Sequence, residues 1–427
     1  MNILIQNGRL IDPANSLDEI AGLFIEDGII CGIGDNTASI SGDYHVLNAG
    51  GMVVCPGFID LHCHLRQPGF EEKETIATGT VAATRGGFTT VCCMPNTQPP
   101  IATPETVQQV IDIAWKESKI RVLPVAAVTV GRKGEELADL AALHDAGAIG
   151  FSDDGSPVAN TDIMRRALEA GKSLNVPIID HCEDLDLAHG GLVHDGVVAS
   201  KMGYRGIPSA AEERMVERDI ELAGQTGGWI HIAHVSSYGS VELIRRARRD
   251  GIRITAEVTP HHLTLTEQAV LEGGTAAKVN PPLRTEADRQ GLIAGLREGV
   301  IDIIATDHAP HTAADKDCAF QEAAFGISGF ETALGCLMAL VRAGDLDIYT
   351  LVSRLTGDPA RILNNKSIGT MKVGSPAEIT IFDPNAEWKV DTVGFASKGK
   401  NNPFEGKTLI GKIMYTLRSG EIIYQAD

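Results

Sequence analysis

The chain has 427 residues, 43% of them hydrophobic and 22% charged, a balance that fits a folded globular protein and excludes a fibrous or largely disordered one. Its formal net charge is −19 with the acidic residues dispersed, which argues against a nucleic-acid-binding surface. The start, Met1 to Gly8, lacks a basic region followed by a long apolar stretch, and no apolar run is long enough for a bilayer, so neither a secretory signal nor a membrane span is expected.

Taken in order, residues 1–54 carry short strand signals broken by turns at Asn7-Gly8, Glu26-Asp27-Gly28, Gly34-Asp35 and Ala49-Gly50-Gly51. The apolar run 53–61 then leads straight into His62-Cys63-His64-Leu65-Arg66. Further apolar strands are expected at 89–94, 121–128, 148–151, 176–180, 229–234, 252–257 and 301–305. Alanine-rich helical patterns separate them, as at 74–85, 135–146, 162–174, 210–224 and 286–297, and Gly or Asp-Gly closes most of these. Buried strands alternating with helices over this length predict a closed parallel (β/α)8 TIM-type barrel. An open doubly wound sheet is the alternative, but no Gly-rich phosphate loop follows the first strand. Strand-and-turn signals resume from about 367, at 377–384 and 417–424. Both chain ends together are expected to build one small β-sandwich, 1–54 with 367–427, beside a barrel of 55–366. The cysteines at 31, 55, 63, 92, 93, 182, 318 and 336 show no CxxC pairing, which reads as free thiols in a reducing cytoplasm.

In a parallel barrel the C-terminal strand ends share one face, so residues remote in sequence meet there. His62 and His64 follow strand 1, Asp154 strand 4, His181 strand 5, His234 strand 6 and Asp307 strand 8. A lone histidine is more often a core or surface group, but six metal-type ligands on successive strand ends point to a divalent metal site. Imidazoles with carboxylates suit zinc, one or two ions with two preferred, and Asp154 is the natural bridge between them. Asp153 is expected to cap the following turn, His261 and His262 to pack or to support ligands, and His231 to face away, since it lies an odd number of positions before His234. The same period-2 logic turns Cys63 and Cys182 away from the ions. Arg66, Asn96, Asn280 and His311 form a second group suited to gripping a carboxylate, because guanidinium offers paired donors.

These residues resemble a known family over essentially the whole chain. His62-Cys63-His64-Leu65-Arg66-Gln67-Pro68-Gly69 is similar to the HxHxRxPG signature of class I bacterial-type dihydroorotases within the amidohydrolase superfamily. In family order follow Met94-Pro95-Asn96-Thr97, Phe151-Ser152-Asp153-Asp154-Gly155, Asp180-His181-Cys182-Glu183-Asp184 and Ala233-His234-Val235-Ser236. Then come Thr259-Pro260-His261-His262-Leu263, Asn280-Pro281-Pro282-Leu283-Arg284, Ala305-Thr306-Asp307-His308-Ala309-Pro310-His311, Phe325-Gly326-Ile327-Ser328 and Asn402-Pro403-Phe404-Glu405-Gly406.

The resemblance implies reversible cyclisation of N-carbamoyl-L-aspartate to L-dihydroorotate in pyrimidine biosynthesis, with a metal-bound hydroxide as nucleophile and Asp307 as general acid/base. It implies that Arg66, Asn96 and His311 hold the substrate carboxylate, and that residues 311–321, with Lys316, form a lid. A homodimer and an association with aspartate carbamoyltransferase are the expected assemblies. Two departures stand out. Asp153-Asp154 occupies the place where many relatives carry a carboxylated lysine, and Ala323-Ala324 precedes Phe325 where the family pattern has a proline next to the Phe. The alternatives are an allantoinase- or hydantoinase-type cyclic amidohydrolase, or a structural subunit of aspartate carbamoyltransferase.

Overall fold

The computed structural model describes residues 2–34 and 43–427; Met1 and the Asp35 half of the Gly34-Asp35 turn cue lie outside them. The N-terminal end folds as β1 (Ile3–Asp12), β2 (Leu17–Glu26), β3 (Ile29–Ile33), β4 (His45–Asn48) and β5 (Val53–Pro56). The barrel strands begin with β6 (Phe58–Cys63), β7 (Phe88–Cys93), β8 (Arg121–Pro124) and β9 (Ile178–Asp180). After a two-stranded side pair, β10 (Val193–His194) with β11 (Gly206–Ile207), they continue as β12 (Ile230–Ile232), β13 (Ile254–Val258) and β14 (Ile303–Ile304). The C-terminal end supplies β15 (Ile379–Lys389), β16 (Thr408–Arg418) and β17 (Glu421–Gln425).

Strands β6, β7 and β8 pair in parallel, as do β9, β12, β13 and β14. Two features close these arcs into a ring. Phe151 bridges Ala126 on one side and Ile178 on the other, and Cys63 bridges His308. The expected fourth strand is thus reduced to one bridging residue, and just before it a Cβ on Gly147 would stand 2.8 Å from Ile111 Cδ1. A helix follows each of the eight strand positions, from Ile76–Arg85 after β6 to Ala333–Ala343 after β14. Thr75, Thr103 and Thr285 start their helices with reciprocal capping bonds. The helix expected at 135–146 shortens to Leu140–Asp145, since Ala138 N–H bonds to Val128 O and keeps the preceding loop extended.

Residues Ile59, Leu61, Cys92, Met94, Val125, Ile179, Trp229, Ala233 and Ile303 come from the strands or the positions next to them and fill the ring, while a separate apolar cluster packs the helices around it. The chain ends form the β-sandwich: one sheet runs β17-β16-β15-β5-β1-β2-β3, with β4 on β1, and folds over Ile3, Ile5, Leu23, Ile25, Ile379 and Leu417. The run 53–61 is therefore two strands. Gly57 marks the hand-over from sandwich to barrel, because a Cβ there would collide with the Thr89 side chain. Two contacts weld the parts together. Phe58 lies 5.7 Å from Phe88 and 6.3 Å from Phe382, and Arg121 forms a two-pronged bond to Glu378 at 3.0 and 2.9 Å. All eight cysteines are free, with Cys31 exposed and Cys318 half-buried. Among the described residues no helix is long and apolar enough to cross a membrane.

Candidate active site

Strand geometry aims the side chains, and four breaks in its regularity do most of the aiming. The β6–β7 register shifts between Asp60 and Cys63, a bulge that turns His62 and His64 toward the same centre after Ile59 and Leu61 have faced the barrel interior. His234, Asp307 and Arg66 have φ of 33°, 46° and 62°, in the left-handed region that costs a non-glycine residue about 1–2 kcal/mol. That turn at His234 breaks the odd-even count on which His231 was expected to face away. Trp229, Ala233 and His231 all point into the barrel, and His234 swings round to join them.

The six expected ligands converge. His62 Nε2 lies 3.2 Å from Asp154 Oδ1 and 3.7 Å from Asp307 Oδ1, and His64 Nε2 lies 2.9 Å from Asp307 Oδ1 and 3.6 Å from Asp154 Oδ2. His234 Nε2 is 3.5 Å from Asp154 Oδ1 and 2.9 Å from His181 Nδ1. All six are buried. The outer ring edges fix which nitrogen carries hydrogen. His62 Nδ1–H donates to Glu257 Oε1 at 2.6 Å, His64 Nδ1–H to Asn96 Oδ1 at 2.8 Å, and His181 Nε2–H to Glu183 Oε2 at 3.4 Å. The inner edges of His62, His64 and His234 face carboxylate oxygens, that of His181 faces His234, and both His62 Nε2 and Asp154 Oδ1 are buried without a hydrogen-bond partner. Carboxylates and ring nitrogens crowded together out of water are a costly arrangement unless protons or a metal cation sit among them. The donor set fits a divalent ion: His62, His64 and Asp307 bring ligand atoms within 4.8 Å of one another, as do His62, Asp154 and His234.

Electrostatics agree. Burial alone would raise Asp154 and Asp307, but His62, His64 and His234 outweigh it and hold both well below the usual carboxylate range. Burial lowers His62 less than Asp154 and Glu257 raise it, so it stands well above its ordinary value. A third cluster, Asp180, Cys182 and Asp219, is already paired with Arg218, whose Nε is 2.7 Å from Asp219 and whose Nη2 is 3.4 Å from Asp180.

Several supporting groups lay outside the sequence reading. Glu257, on β13, accepts from both His62 and His231 Nε2 (3.1 Å), and so orients the His62 ring from behind. Nothing in a strand written Ile-Thr-Ala-Glu-Val marked it except its position one residue before the strand end. Asp60 accepts from the Thr306 N–H at 2.8 Å and its hydroxyl at 2.6 Å, tying β6 to the turn that carries Asp307; burial raises its carboxyl to about 7. Asp153 caps the preceding loop rather than the following turn, accepting from the N–H groups of Val128 (2.9 Å) and Thr129 (3.1 Å), because it points back toward β8. His262 Nε2–H donates to Pro281 O at 3.0 Å and Nδ1 accepts from the Thr259 hydroxyl at 2.8 Å, and burial pushes it down to about 4. Cys63 and Cys182 pack in the outer core.

Above the cluster lies a cavity of about 270 Å³ whose wall includes Arg66, Asn96, Asn280, His311, Phe325 and Gly326. The four residues expected to grip substrate all reach it, with different commitments. Asn96 spends its oxygen on His64, and its Nδ2 points to Asp154 Oδ2 at 3.4 Å. Asn280 Nδ2 donates to Glu183 at 3.2 Å. His311 Nε2–H donates to Phe325 O at 2.8 Å, and burial with Arg66 close by holds its ring down at about 3, hence neutral. Arg66 donates through Nε to Pro310 O at 3.2 Å, and among the described residues no carboxylate comes within ion-pair distance of its guanidinium. The segment 311–321 does not send Lys316 into the cavity. That ammonium donates to Thr275 O (2.9 Å) and Lys278 O (3.3 Å), while buried Lys278 donates to Phe320 O and Ala323 O, each at 2.7 Å, and packs the segment down.

Comparison with known proteins completes the assignment. A family described as dihydro-orotase-like matches residues 51–240. The chain is 47% identical over 427 residues to a dihydroorotase of Syntrophus aciditrophicus (strain SB), covering 100% of each chain. It is 49% identical over 428 residues to a dihydroorotase of Caldanaerobacter subterraneus subsp. tengcongensis, covering 100% of this chain and 98% of that one. Among solved structures, L-hydantoinase (dihydropyrimidinase) from Arthrobacter aurescens superposes with a TM-score of 0.89 at 25% identity, over 99% of this chain and 96% of that chain. With near-half identity sustained from end to end, and the barrel, the sandwich and the strand-end His/Asp cluster in place, the chain belongs to the dihydroorotase family of amidohydrolases, enzymes that work on cyclic amides with a divalent metal.

Proposed function

We propose that this chain interconverts N-carbamoyl-L-aspartate and L-dihydroorotate, the ring-closing step of pyrimidine biosynthesis. The observation that carries the reading is the Arg66 guanidinium, which has no carboxylate partner among the described residues, on the wall of a cavity floored by the His/Asp cluster. A cation without a carboxylate partner, beside a metal-type site, suits a cyclic amide that bears its own carboxylate. His62, His64, Asp154, His181, His234 and Asp307 would hold zinc, one or two ions with two preferred, and Asp154 is placed to touch both His-containing groups. Bound there, the metal would supply a nucleophile at neutral pH and polarise the amide carbonyl.

The chain's own residues do the rest. Arg66, with Asn96, Asn280 and His311 around the cavity, fixes the substrate carboxylate and so presents the scissile amide to the floor. Asp307, ionised and 2.9 Å from His64 Nε2, takes a proton during attack and returns it to the departing ring nitrogen through Oδ1 or Oδ2. Glu257 keeps the His62 ring turned toward the centre throughout.

We also infer the division expected at 1–54, 55–366 and 367–427, with the first boundary moved to Gly57 because β5 (Val53–Pro56) pairs in the sheet that joins both chain ends. A cytoplasmic homodimer is the assembly we expect, and aspartate carbamoyltransferase is the partner to test. A hydantoinase- or allantoinase-type activity is the second reading, favoured by the structural neighbour, and it predicts turnover of rings without a carboxylate. The discriminating experiment is a substrate panel on zinc-supplied protein. Conversion of L-dihydroorotate and N-carbamoyl-L-aspartate, with hydantoin and allantoin untouched, supports the proposal; preferred turnover of either of the latter refutes it.

A further inference from the structure

Resting on that reading, we propose that Asn401 is a positioning residue for the carboxylate-gripping wall. It acts from outside the barrel by locking together two loop segments that line the cavity. Asn401 belongs to the C-terminal stretch and does not itself line the cavity; it meets the residues of the cavity wall from behind. Its side chain is buried, and all of its carboxamide's hydrogen-bonding capacity is used. Oδ1 accepts from the His311 N–H at 3.0 Å and the Ser328 hydroxyl at 2.9 Å, and Nδ2 donates to Ala309 O and Gly326 O, each at 3.0 Å. Its own carbonyl accepts from the Ser328 N–H at 2.9 Å.

Three of those partners, Ala309, His311 and Gly326, form part of the cavity wall. Between them Pro310 O receives Arg66 Nε–H, so a shift of this segment also moves the guanidinium. The two segments run side by side, with Ala309 N–H on Ile327 O at 2.8 Å and Gly326 at φ 138°, where a Cβ would press within 2.7 Å of the Ala309 methyl. The approach of the C-terminal stretch is equally tight, since a Cβ on Gly399 would stand 2.6 Å from Pro310 Cβ. A carboxamide suits this place because it needs donors on one side and acceptors on the other. An aspartate would set an anion against two carbonyl oxygens, and an aliphatic residue would strand four polar groups.

The test compares wild type with Asn401→Asp and the milder Ser328→Ala, and uses Ile381→Val in the sandwich core as a stability control. Zinc content, kcat and KM for L-dihydroorotate, and amide hydrogen exchange are read on the same samples. The expected result for Asn401→Asp is a KM increase on the order of tenfold, kcat changed by less than about threefold, and zinc content as in wild type. Exchange should accelerate in 309–311 and 326–328 only. Ser328→Ala should show a smaller effect of the same kind, and Ile381→Val should lose thermal stability without a change in KM. The proposal is overturned by an unchanged KM, by activity lost in proportion to zinc, or by exchange that stays protected or accelerates throughout the barrel. Should wild type leave L-dihydroorotate unchanged, the functional reading falls, and the exchange pattern alone decides the role of Asn401.

Discussion

Glu257 is the sharpest place to perturb the account, because its carboxylate serves two histidines and makes no claim on substrate. The proton order around it is fixed by the chain of bonds. Trp229 Nε1–H donates to Thr255 Oγ1 at 2.9 Å, and the Thr255 hydroxyl donates to His231 Nδ1 at 2.8 Å. His231 Nε2–H and His62 Nδ1–H then converge on the two Glu257 oxygens. Glu257→Gln keeps one oxygen, enough for His62, but turns an NH2 toward His231 and removes the charge. His231 can switch tautomer at the expense of the Thr255 bond, so the fold should survive. The lost charge-assisted bond is worth about 1.5–3 kcal/mol, which predicts zinc affinity weakened by about 10- to 100-fold. Glu257→Ala, which frees the ring to turn, should lie at or beyond the upper end. The assay is zinc titration against a competing chelator, with circular dichroism confirming the fold. Zinc affinity within about twofold of wild type in both variants would refute the claim that Glu257 orients a ligand.

Three further outcomes are expected. Asp307→Asn should abolish turnover while the circular dichroism spectrum and melting transition stay near wild type; turnover above about a tenth of wild type contradicts its proton-transfer role. Arg66→Met should raise KM for L-dihydroorotate by about 10- to 100-fold with a smaller effect on kcat, read from initial rates, and an unchanged KM removes Arg66 from carboxylate binding. Lys316, buried and near Lys278, is pushed down to about 7, so between there and the ordinary lysine range the unfolded chain holds the extra proton. Stability of wild type relative to Lys316→Met should therefore rise with pH from about 7 to 10, by at most about 1.4 kcal/mol per unit, in urea melts at several pH values. A flat or falling difference contradicts this.

The convergence of the six strand-end residues was legible because its signal is local: His62 and His64 sit two apart on one strand end, and each of the others closes an apolar run. The barrel was legible for the same reason, as strand and helix periods alternate. What failed was parity. His231 was placed on the wrong face because a left-handed turn at His234 is invisible in the letters, and the β6 bulge is equally silent. Glu257 and Asn401 escaped notice because their partners, His62, His231, Ala309 and Gly326, are remote in sequence. The strand split at Gly57 depends on the crowding of Thr89, another long-range contact. Sequence periodicity reports which side of its own element a residue faces; it says nothing of what another element brings to meet it.

The central claim, that the six strand-end residues hold a divalent metal on which turnover depends, is tested most directly by adding zinc back to metal-stripped protein. Bound zinc and L-dihydroorotate turnover are measured on each sample, with aspartate carbamoyltransferase present in a parallel series. The account predicts that activity is absent without metal, rises with bound zinc and saturates at one or two equivalents, two being preferred. Full activity in the metal-free sample, or no activity in the zinc-loaded protein in either series, would contradict it.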